Sequence, residues 1–249
     1  MEIGVQLYTL RKFCQNLEDF SETLKKVADM GYRNVQVSGV CPYEPQWLKE
    51  QLANNNLKCV VTHIPPDRLI NEPKQVSAEH EIFGCNNIGL GFYVVEDDVE
   101  KSVAQYEQSY RAVAMEMRNN GKYFMHHNHA TEFKKLGKKT FLEMIYEHFP
   151  AEELGFIVDT YWVQVAGGDP AQWLEKLSGR VPCIHLKDCA IGQKMAVLGE
   201  GNINFDRVFE KAEVAGTKHM LVEQDDCYGE DPFACLKRSY DFLKARGFA

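Results

Sequence analysis

The sequence feature that most constrains the fold is a repeated alternation of short apolar segments with longer amphipathic ones. Eight segments have the length and the apolar character of buried strands. They are Ile3–Leu7, Asn34–Val37, Lys58–Thr62, Asn87–Leu90, Lys122–His126, Gly155–Val158, Cys183–Leu186 and Met220–Val222. Because a parallel strand needs a crossover that carries the chain back along the sheet, this alternation predicts a parallel sheet.

Segments with helical periodicity lie between these strands. The segment from Leu17 to Val27 has an apolar stripe and stops at Gly31, a common helix end. In the clearest segment, Asp97 or Asp98 is placed to cap the helix start. Its six apolar residues recur at intervals of four and three and therefore share one helix face: Val99, Val103, Tyr106, Tyr110, Val113 and Met117.

Two further helices are indicated by Asp-Pro pairs, at Asp169-Pro170 and at Asp231-Pro232. An aspartate accepts hydrogen bonds from the unpaired amides of the first turn, and proline fits that turn. The remaining four helix candidates are Gln46–Ala53, Lys74–Phe83, Thr140–Phe149 and Asp206–Ala215.

Eight strands alternating with eight helices predict a closed (β/α)8 TIM barrel, an α/β fold. At about 150 residues per domain, a length of 249 residues leaves one or two domains open. No linker or low-complexity segment interrupts the alternation, so residues 1–249 are interpreted as one domain. An open doubly wound sheet is the alternative, but no Gly-x-Gly-x-x-Gly turn follows the first strand.

Composition narrows the class of partner. The chain has 28 Lys and Arg against 36 Asp and Glu, a net charge of −8, which disfavours nucleic-acid binding. No segment approaches the about 20 apolar residues of a membrane span, and the first residues alternate like a strand instead of forming a secretory signal. The eight cysteines form no Cys-x-x-Cys pair. We therefore expect a cytoplasmic protein with reduced cysteines and no nucleic-acid or membrane partner.

Polar side chains gather directly after the predicted strands. In a barrel this is the carboxyl-terminal rim, where barrel enzymes carry their functional residues. Three of the eight histidines lie within residues 126–129, after the fifth strand. The others of interest are His63, Glu132, Asp159, His185, Lys187 and Glu223.

Carboxylates and imidazoles from different strand ends indicate a divalent metal site, since a cation compensates the charge of carboxylates that lose their hydration. The set of Glu132, Asp159, His185 and Glu223 offers three oxygens and one nitrogen. That mixture suits Mn²⁺, Mg²⁺ or Co²⁺, with Zn²⁺ also compatible. The set contains no thiolate, which disfavours a structural zinc site.

An ordered series of short motifs covers the second half of the chain. They are His127-Asn128-His129 with Glu132-Phe133, Val158-Asp159-Thr160 with Trp162 and Gly167, Gly179-Arg180, His185-Leu186-Lys187-Asp188, Leu198-Gly199-Glu200-Gly201 and Val222-Glu223-Gln224-Asp225. In order and approximate spacing they resemble the xylose isomerase-like barrel superfamily, in its sugar phosphate isomerase/epimerase branch. The start, Gly4-Val5-Gln6-Leu7, agrees more loosely.

The resemblance implies one divalent cation, with Mn²⁺ the first choice, held by four ligands from separate strand ends. Carried over to this chain, three of the ligands are Asp159, His185 and Glu223. Relatives often have a glutamate at the end of the fifth strand, where this chain has His126 and His127. Glu132 is the expected first ligand, with His127 or His129 as the alternative.

The resemblance further implies metal-assisted proton transfer through an enediolate, on a small keto-sugar or polyol derivative. In this hypothesis Glu132 and Glu223 are ligands that also act in proton transfer, His127 relays a proton and Lys187 stabilises negative charge. The expected substrate-binding residues are Gln6, His63, His129 and Trp162.

Several of these residues also have a purely structural interpretation. Asp159 can cap a helix that begins at Tyr161 and Trp162, and Glu223 can belong to a solvated acidic loop. His63 can orient a turn before Pro65. Because adjacent strand residues face opposite sides, only one of His126 and His127 is expected to face the site.

Other functions are compatible with the same candidate site residues. A dehydratase or lyase acting on keto-sugars or inososes would share the metal site. A barrel that binds a sugar or a partner subunit without turnover is the non-enzymatic alternative. A DNA-repair endonuclease of the same fold is disfavoured because it would need a basic groove. Little chain is left for a lid, so rim loops must form the pocket, or a second subunit of a homo-oligomer or a partner must complete it.

Overall fold

The computed structural model describes residues 1–248 and contains a closed barrel of eight parallel strands. The strands are β1 (Glu2–Gln6), β2 (Asn34–Val37), β3 (Lys58–Ile64), β4 (Asn87–Leu90), β5 (Tyr123–His127), β6 (Leu154–Asp159), β7 (Cys183–Leu186) and β8 (His219–Val222). Neighbours in the chain are neighbours in the barrel, and β1 closes it against β8, from Glu2 beside His219 to Val5 beside Val222. The predicted (β/α)8 TIM barrel is confirmed.

Helices surround the barrel. They are α1 (Leu17–Asp29), α2 (Pro45–Asn54), α3 (Pro66–Asn71), α4 (Pro73–Ile82), α5 (Val99–Asn119), α6 (Phe141–His148), α7 (Thr160–Val165), α8 (Pro170–Lys176), α9 (Phe205–Val214) and α10 (Pro232–Ala245). The predicted aspartate caps are present, since the side chains of Asp98, Asp169 and Asp231 each accept a hydrogen bond from the first turn of α5, α8 and α10.

Two short helices are not among the eight helix candidates of the sequence, although Asp159 was considered as a cap for the second. These are α3 and α7, each of six residues, which follow β3 and β6 at the carboxyl-terminal end of the barrel. Six residues span fewer than two turns, so they show no recurring apolar spacing. Both helices continue directly from strand ends that carry predicted site residues.

The apolar core has two layers, one inside the barrel and one between the strands and the helices. The inner layer is formed by Val60, Val61, Met125, Ile157, Cys183 and Leu221. The outer layer is larger and includes fully buried aromatic side chains such as Phe20, Tyr106, Phe124 and Phe141. Burial of this apolar surface fixes the strand ends relative to one another.

The strand ends are slightly longer than the sequence predicts. β3 extends to Ile64 and so includes His63, β5 ends on His127, and β6 ends on Asp159. These three predicted rim residues therefore belong to the sheet and not to the following loops. Across residues 1–248, no helix combines the length and the apolar character that crossing a membrane requires.

Candidate metal centre and cleft

Four buried side chains converge at the carboxyl-terminal end of the barrel. His127 and Asp159 end β5 and β6, His185 lies within β7, and Glu223 directly follows β8. One ligand atom from each lies within 4.8 Å of the others. Since neighbouring parallel strands end at the same rim, residues far apart in sequence meet here as two imidazoles and two carboxylates.

The two imidazoles are each held by a hydrogen bond on the side away from the cluster. His127 Nδ1 lies 3.0 Å from the carbonyl oxygen of Gly91, and His185 Nε2 lies 2.7 Å from Oε1 of Gln36. Both partners are acceptors, so these ring nitrogens carry the hydrogen. The opposite nitrogens, Nε2 of His127 and Nδ1 of His185, then present lone pairs to the cluster.

The cluster fits a divalent cation. Nε2 of His127 lies 3.4 Å from Oδ2 of Asp159, and Nδ1 of His185 lies 2.9 Å from Oε2 of Glu223. Within the described chain that Nδ1 has no aligned hydrogen-bond partner. Lone pairs facing carboxylate oxygens in a buried site repel unless a positive charge lies between them. A metal ion supplies that charge while the imidazoles stay neutral.

Lys187 provides a positive charge at the edge of the same cluster. Its Nζ lies 3.6 Å from Oδ2 of Asp159, 3.3 Å from Oε2 of Glu223 and 2.5 Å from Oδ2 of Asp225. Burial alone would lower the pKa of Lys187, but these carboxylates, Glu223 first, raise it above its ordinary value. Lys187 is therefore a permanently charged ammonium group.

The same charges act on the ligands. Burial would raise the pKa of Glu223, but Lys187 and then His185 outweigh burial and lower it. Burial would lower the pKa of His185, but Glu223 and Asp159 raise it to about 9. Because an imidazole binds a metal only in its neutral form, metal binding at His185 releases a proton and strengthens as the pH rises.

A cleft of about 560 Å³ opens over the cluster. Its ionic residues are Lys187, Glu223 and Asp225, while Asp159 and His185 lie beneath its floor. The wall is largely aromatic and apolar, with the half-exposed rings of Tyr8 and Phe92 at the entrance. The lining residues are Tyr8, Ser38, His63, Ile64, Pro65, Pro66, Gly91, Phe92, His127, His129, Trp162, Lys187, Glu223 and Asp225.

Three of the predicted substrate-binding residues line this cleft, namely His63, His129 and Trp162. Among the described residues, His63 Nε2, His129 Nδ1 and the indole Nε1 of Trp162 are buried without a hydrogen-bond partner. Burial, followed by the neighbouring His127, lowers the pKa of His129 to about 3, so this ring is neutral near pH 7. Unpaired polar atoms in an aromatic wall suit a ligand with hydroxyl groups.

Gln6, the fourth predicted substrate-binding residue, lies outside the cleft lining. Its side chain is fully buried at the end of β1, and its Oε1 accepts a hydrogen bond from the Tyr8 amide at 3.2 Å. Gln6 thus begins the short 3-10 helix Leu7–Phe13. In the structure it supports the segment that carries Tyr8, and its Nε2 is buried without a hydrogen-bond partner among the described residues.

Glu132, the expected first ligand, is not brought to the cluster. It lies in a short 3-10 turn, where its Oε2 accepts hydrogen bonds at 3.0 Å from the amide of His129 and the hydroxyl of Thr131. Its Oε1 lies 3.5 Å from Nε2 of His126. The turn folds this carboxylate back beneath the rim, so the position assigned to Glu132 is occupied by the alternative, His127.

His126 and His127 face opposite sides of the sheet. His126 Nδ1 lies 3.2 Å from the hydroxyl of Tyr106 on α5, in the layer between strand and helix. His127 faces the cleft, where its ring lies beside those of His63 and His185. Because side chains alternate along β5, His126 packs between strand and helix whereas His127 lies in the candidate site.

Sequence reasoning missed Gln36 and Asp225. Gln36 is a fully buried amide in a strand whose neighbours are valines, and a polar residue in such a strand is itself a signal. Asp225 follows β8 by three residues and was grouped with a solvated acidic loop. It is instead largely buried against Lys187.

A glycine-containing turn is organised around Asp188, the residue that follows Lys187 in the chain. The buried carboxylate of Asp188 accepts hydrogen bonds from four backbone amides, those of Cys189, Gly199, Gly201 and Ile203, at 2.8 to 3.2 Å. A Cβ atom on Gly201 would lie 2.3 Å from Oδ1 of Asp188, so this position requires glycine. The turn is thus organised around a side chain of the chain itself.

Comparison with known protein families gives one match. A family model described as a xylose isomerase-like TIM barrel matches residues 24–246, which is most of the chain. No curated protein matches the sequence.

Several solved structures share the fold. A sugar phosphate isomerase/epimerase from Parabacteroides distasonis is 19% identical, with a TM-score of 0.83, over 98% of this chain and 93% of that one. The probable 3-DHS dehydratase AsbF from Bacillus anthracis is 16% identical, with a TM-score of 0.76, over 98% and 99%. An L-ribulose 3-epimerase is 16% identical, with a TM-score of 0.74, over 98% and 94%. At such low identity these likenesses show the fold alone.

Proposed function

The chain belongs to the xylose isomerase-like TIM barrel family, and from this premise we propose that it is a divalent-metal-dependent isomerase or epimerase acting on a small sugar or polyol derivative. The observation that carries the proposal is the buried cluster of His127, Asp159, His185 and Glu223 beneath a cleft of sugar size. We assign these four residues as the metal ligands.

A bound divalent cation stabilises negative charge on a substrate carbonyl oxygen and so acidifies the neighbouring C–H bond. Glu223 is the base we propose, because among the ligands it is the carboxylate that lines the cleft. Lys187 keeps Glu223 ionised and stabilises charge that develops beside it. His129, which is neutral, can exchange a proton with a substrate hydroxyl.

The cleft suits an uncharged substrate. Lys187 is the cationic residue of its described lining, and three carboxylates already surround this ammonium group. A phosphate ester needs an Arg or Lys that is available for it. The ring of Trp162 instead offers an apolar face for sugar C–H groups and an unpaired indole N–H for a hydroxyl. We therefore propose an unphosphorylated keto-sugar or polyol derivative.

A dehydratase is the second candidate, and the pair of Lys187 and Asp225 favours it. Loss of a β-hydroxyl requires a base on one carbon and a proton donor for the leaving oxygen. Glu223 supplies the base, and Asp225 at the cleft, whose pKa is raised chiefly by burial, supplies the proton for the leaving hydroxyl. The Lys187 ammonium, 2.5 Å from Asp225 Oδ2, stabilises the carboxylate that remains.

The deciding experiment is incubation of the Zn²⁺-, Co²⁺- or Mn²⁺-loaded protein with a panel of unphosphorylated keto-sugars and inososes in deuterium oxide, followed by NMR. Deuterium entering a carbon next to the carbonyl with all hydroxyls retained supports an isomerase or epimerase. Loss of a hydroxyl supports the dehydratase. If Glu223→Gln keeps full exchange, the proposed base is wrong.

The matched control is His219→Gln. His219 is a strand histidine like His185, but it lies at the opposite, amino-terminal end of the barrel beside Glu2. We expect this variant to retain exchange, whereas His185→Gln loses it. Tight metal binding with no turnover of any panel member would favour a sugar-binding barrel without catalysis.

A further inference from the structure

We propose that the metal centre is preset for a borderline cation, Zn²⁺ or Co²⁺, and discriminates against Mn²⁺ and Mg²⁺ more strongly than a site with one histidine would. This inference rests on the metal site proposed above and concerns the kind of cation that the site selects. Three features of the structure carry it, namely the donor set, the fixed imidazole tautomers and the position of Lys187.

The donor set contains as many nitrogens as oxygens. With Glu132 as a ligand, the set would have three carboxylates and one imidazole, which favours Mn²⁺ or Mg²⁺. The structure replaces that carboxylate by His127, whose Nε2 faces Oδ2 of Asp159. Imidazole nitrogens bind Zn²⁺ and Co²⁺ better than Mn²⁺ or Mg²⁺, so exchanging one oxygen for a nitrogen shifts the preference.

The tautomer of His127 is fixed by a hydrogen bond and does not depend on a bound metal. The carbonyl of Gly91 can only accept a hydrogen bond, so Nδ1 of His127 must carry the hydrogen. Its Nε2 is then a neutral donor atom that points into the cluster, and the ring needs no rearrangement to bind a cation.

Gln36 does the same for His185, and we assign it as a positioning residue. Both side chains are fully buried, and Oε1 of Gln36 lies 2.7 Å from Nε2 of His185. The pairing between β2 and β3 shifts register between Val35 and Gln36. Such an irregularity re-aims side chains beside functional sites. Gln36 thereby directs Nδ1 of His185 towards the cluster.

Lys187 disfavours cations that depend on carboxylate charge. Its ammonium lies 3.6 Å from Oδ2 of Asp159 and 3.3 Å from Oε2 of Glu223, the oxygens that face the imidazoles. It weakens the attraction that these oxygens offer to any second cation. Mg²⁺ binds almost entirely through charged oxygens, whereas Zn²⁺ and Co²⁺ also gain from two uncharged nitrogens.

The first test measures the number of imidazole ligands directly. X-ray absorption at the zinc edge of the Zn²⁺-loaded wild-type protein should show two imidazoles, and the His127→Glu variant should show one. One imidazole in the wild-type protein would overturn the proposal, and this result requires no variant to fold.

The second test measures selectivity. Metal-stripped protein is titrated with Zn²⁺, Co²⁺ and Mn²⁺ against a chromophoric chelator. Because Zn²⁺ binds most sites more tightly than Mn²⁺, the informative quantity is the ratio of the two dissociation constants. His127→Glu should reduce the preference for Zn²⁺ over Mn²⁺ by at least about tenfold, while His219→Gln should leave it unchanged. An unchanged preference in His127→Glu would contradict the inference.

The third test concerns Gln36. Gln36→Leu removes the acceptor for His185 and should weaken Zn²⁺ binding about 10- to 100-fold. Gln36→Glu keeps an acceptor oxygen and should restore most of the affinity, which a merely structural role would not predict. The melting temperature of the metal-free variants separates this effect from a loss of stability. Equal affinities for both variants would refute the positioning role.

Failure of this inference is distinguishable from failure of the proposed function. If none of the three metals binds the wild-type protein, the metal-dependent function itself is wrong. If a metal binds but the ratio and the imidazole count do not depend on His127, only the selectivity inference fails.

Discussion

The backbone N–H of Trp162 donates a hydrogen bond of 3.0 Å to Oδ1 of Asp159, while Oδ2 of the same carboxylate faces His127 and His185. One oxygen therefore begins helix α7 and the other faces the cluster. The helix cap considered from the sequence is present, and the second oxygen is available for the ligand role that we propose. The helix start fixes the orientation of this carboxylate.

This division of roles predicts different outcomes for two substitutions. Asp159→Asn keeps an oxygen for the cap but removes the charge, whereas Asp159→Ala removes both. We expect both variants to lose metal binding. The free energy of unfolding of the metal-free protein should be lower in Asp159→Ala than in Asp159→Asn by about 0.5–2 kcal/mol. Denaturant titration of the two metal-free variants measures this difference, and equal stabilities would show that the cap contributes nothing.

Lys187 should stabilise the metal-free protein by supplying positive charge that a bound cation would otherwise supply. Lys187→Met leaves three carboxylates without their ammonium partner, which we expect to destabilise the metal-free protein by about 3–5 kcal/mol. Added Zn²⁺ then compensates the negative charge of these carboxylates. The rise in melting temperature on adding Zn²⁺ should therefore be larger in Lys187→Met than in the wild-type protein.

The matched control for this prediction is Lys122→Met. Lys122 is also a buried lysine, but it donates to Glu81 and Asn86 at the opposite end of the barrel. Its loss should lower the melting temperature equally with and without Zn²⁺. A rise on adding Zn²⁺ that is the same in all three proteins would show that Lys187 does not act on the metal site.

Glu132 should matter for stability and not for metal coordination. Its buried carboxylate accepts hydrogen bonds from His129 and Thr131. Burial would raise the pKa of Glu132, but His126, together with His129, outweighs burial and lowers it. Glu132→Gln should lower the free energy of unfolding by about 1–3 kcal/mol. Zn²⁺ affinity, measured by the same chelator titration, should stay within about threefold of wild type, because the change lies outside the ligand set. A hundredfold loss of Zn²⁺ affinity would indicate that Glu132 is a metal ligand.

His80 should produce a pH-dependent loss of stability away from the site. Burial lowers its pKa from 6.5 to about 4, and the neutral ring bridges Thr62 and the carbonyl of Val76. Because the folded pKa lies below the unfolded one, the full stability is present above about pH 6.5 and declines as the pH falls towards 4. The loss reaches about 3 kcal/mol below both values.

The measurement compares the free energy of unfolding at pH 7 and pH 4.5 in the wild-type protein and in His80→Gln. The variant should lose less stability over this interval, since the glutamine does not titrate. His148→Gln, at an exposed histidine, serves as the control and should behave like the wild type. A variant with the same loss as the wild-type protein would exclude His80 as the source.

The barrel could be predicted from the sequence because its signals are local and repeated. The segment Asn34–Val37, with valine at every second position, and the stripe from Val99 to Met117 each correspond to an observed element, β2 and α5. Helix α7 was indicated only by its cap, Asp159, because its six residues are too few for periodicity. Short elements depend on their tertiary surroundings.

The site was predictable where a ligand ends or follows a strand directly. Asp159 ends β6, Glu223 directly follows β8 and His185 is the last residue but one of β7, and the structure brings the three together. The fourth position was ambiguous because Glu132 lies several residues beyond β5, and a turn of unknown direction decides where its carboxylate points. Sequence also could not reveal that Gln36 contacts His185, since a hydrogen bond across 149 positions depends on the closed barrel.

The turn around Asp188 has a consequence for what the protein can recognise. Glycine-rich backbone amides are a common receptor for phosphate, because several N–H groups point at one place. Here the amides of Gly199, Gly201 and Ile203 are already saturated by the protein's own carboxylate. The chain thus places its own carboxylate where an outside anion could otherwise bind, and this turn is not available as a phosphate receptor.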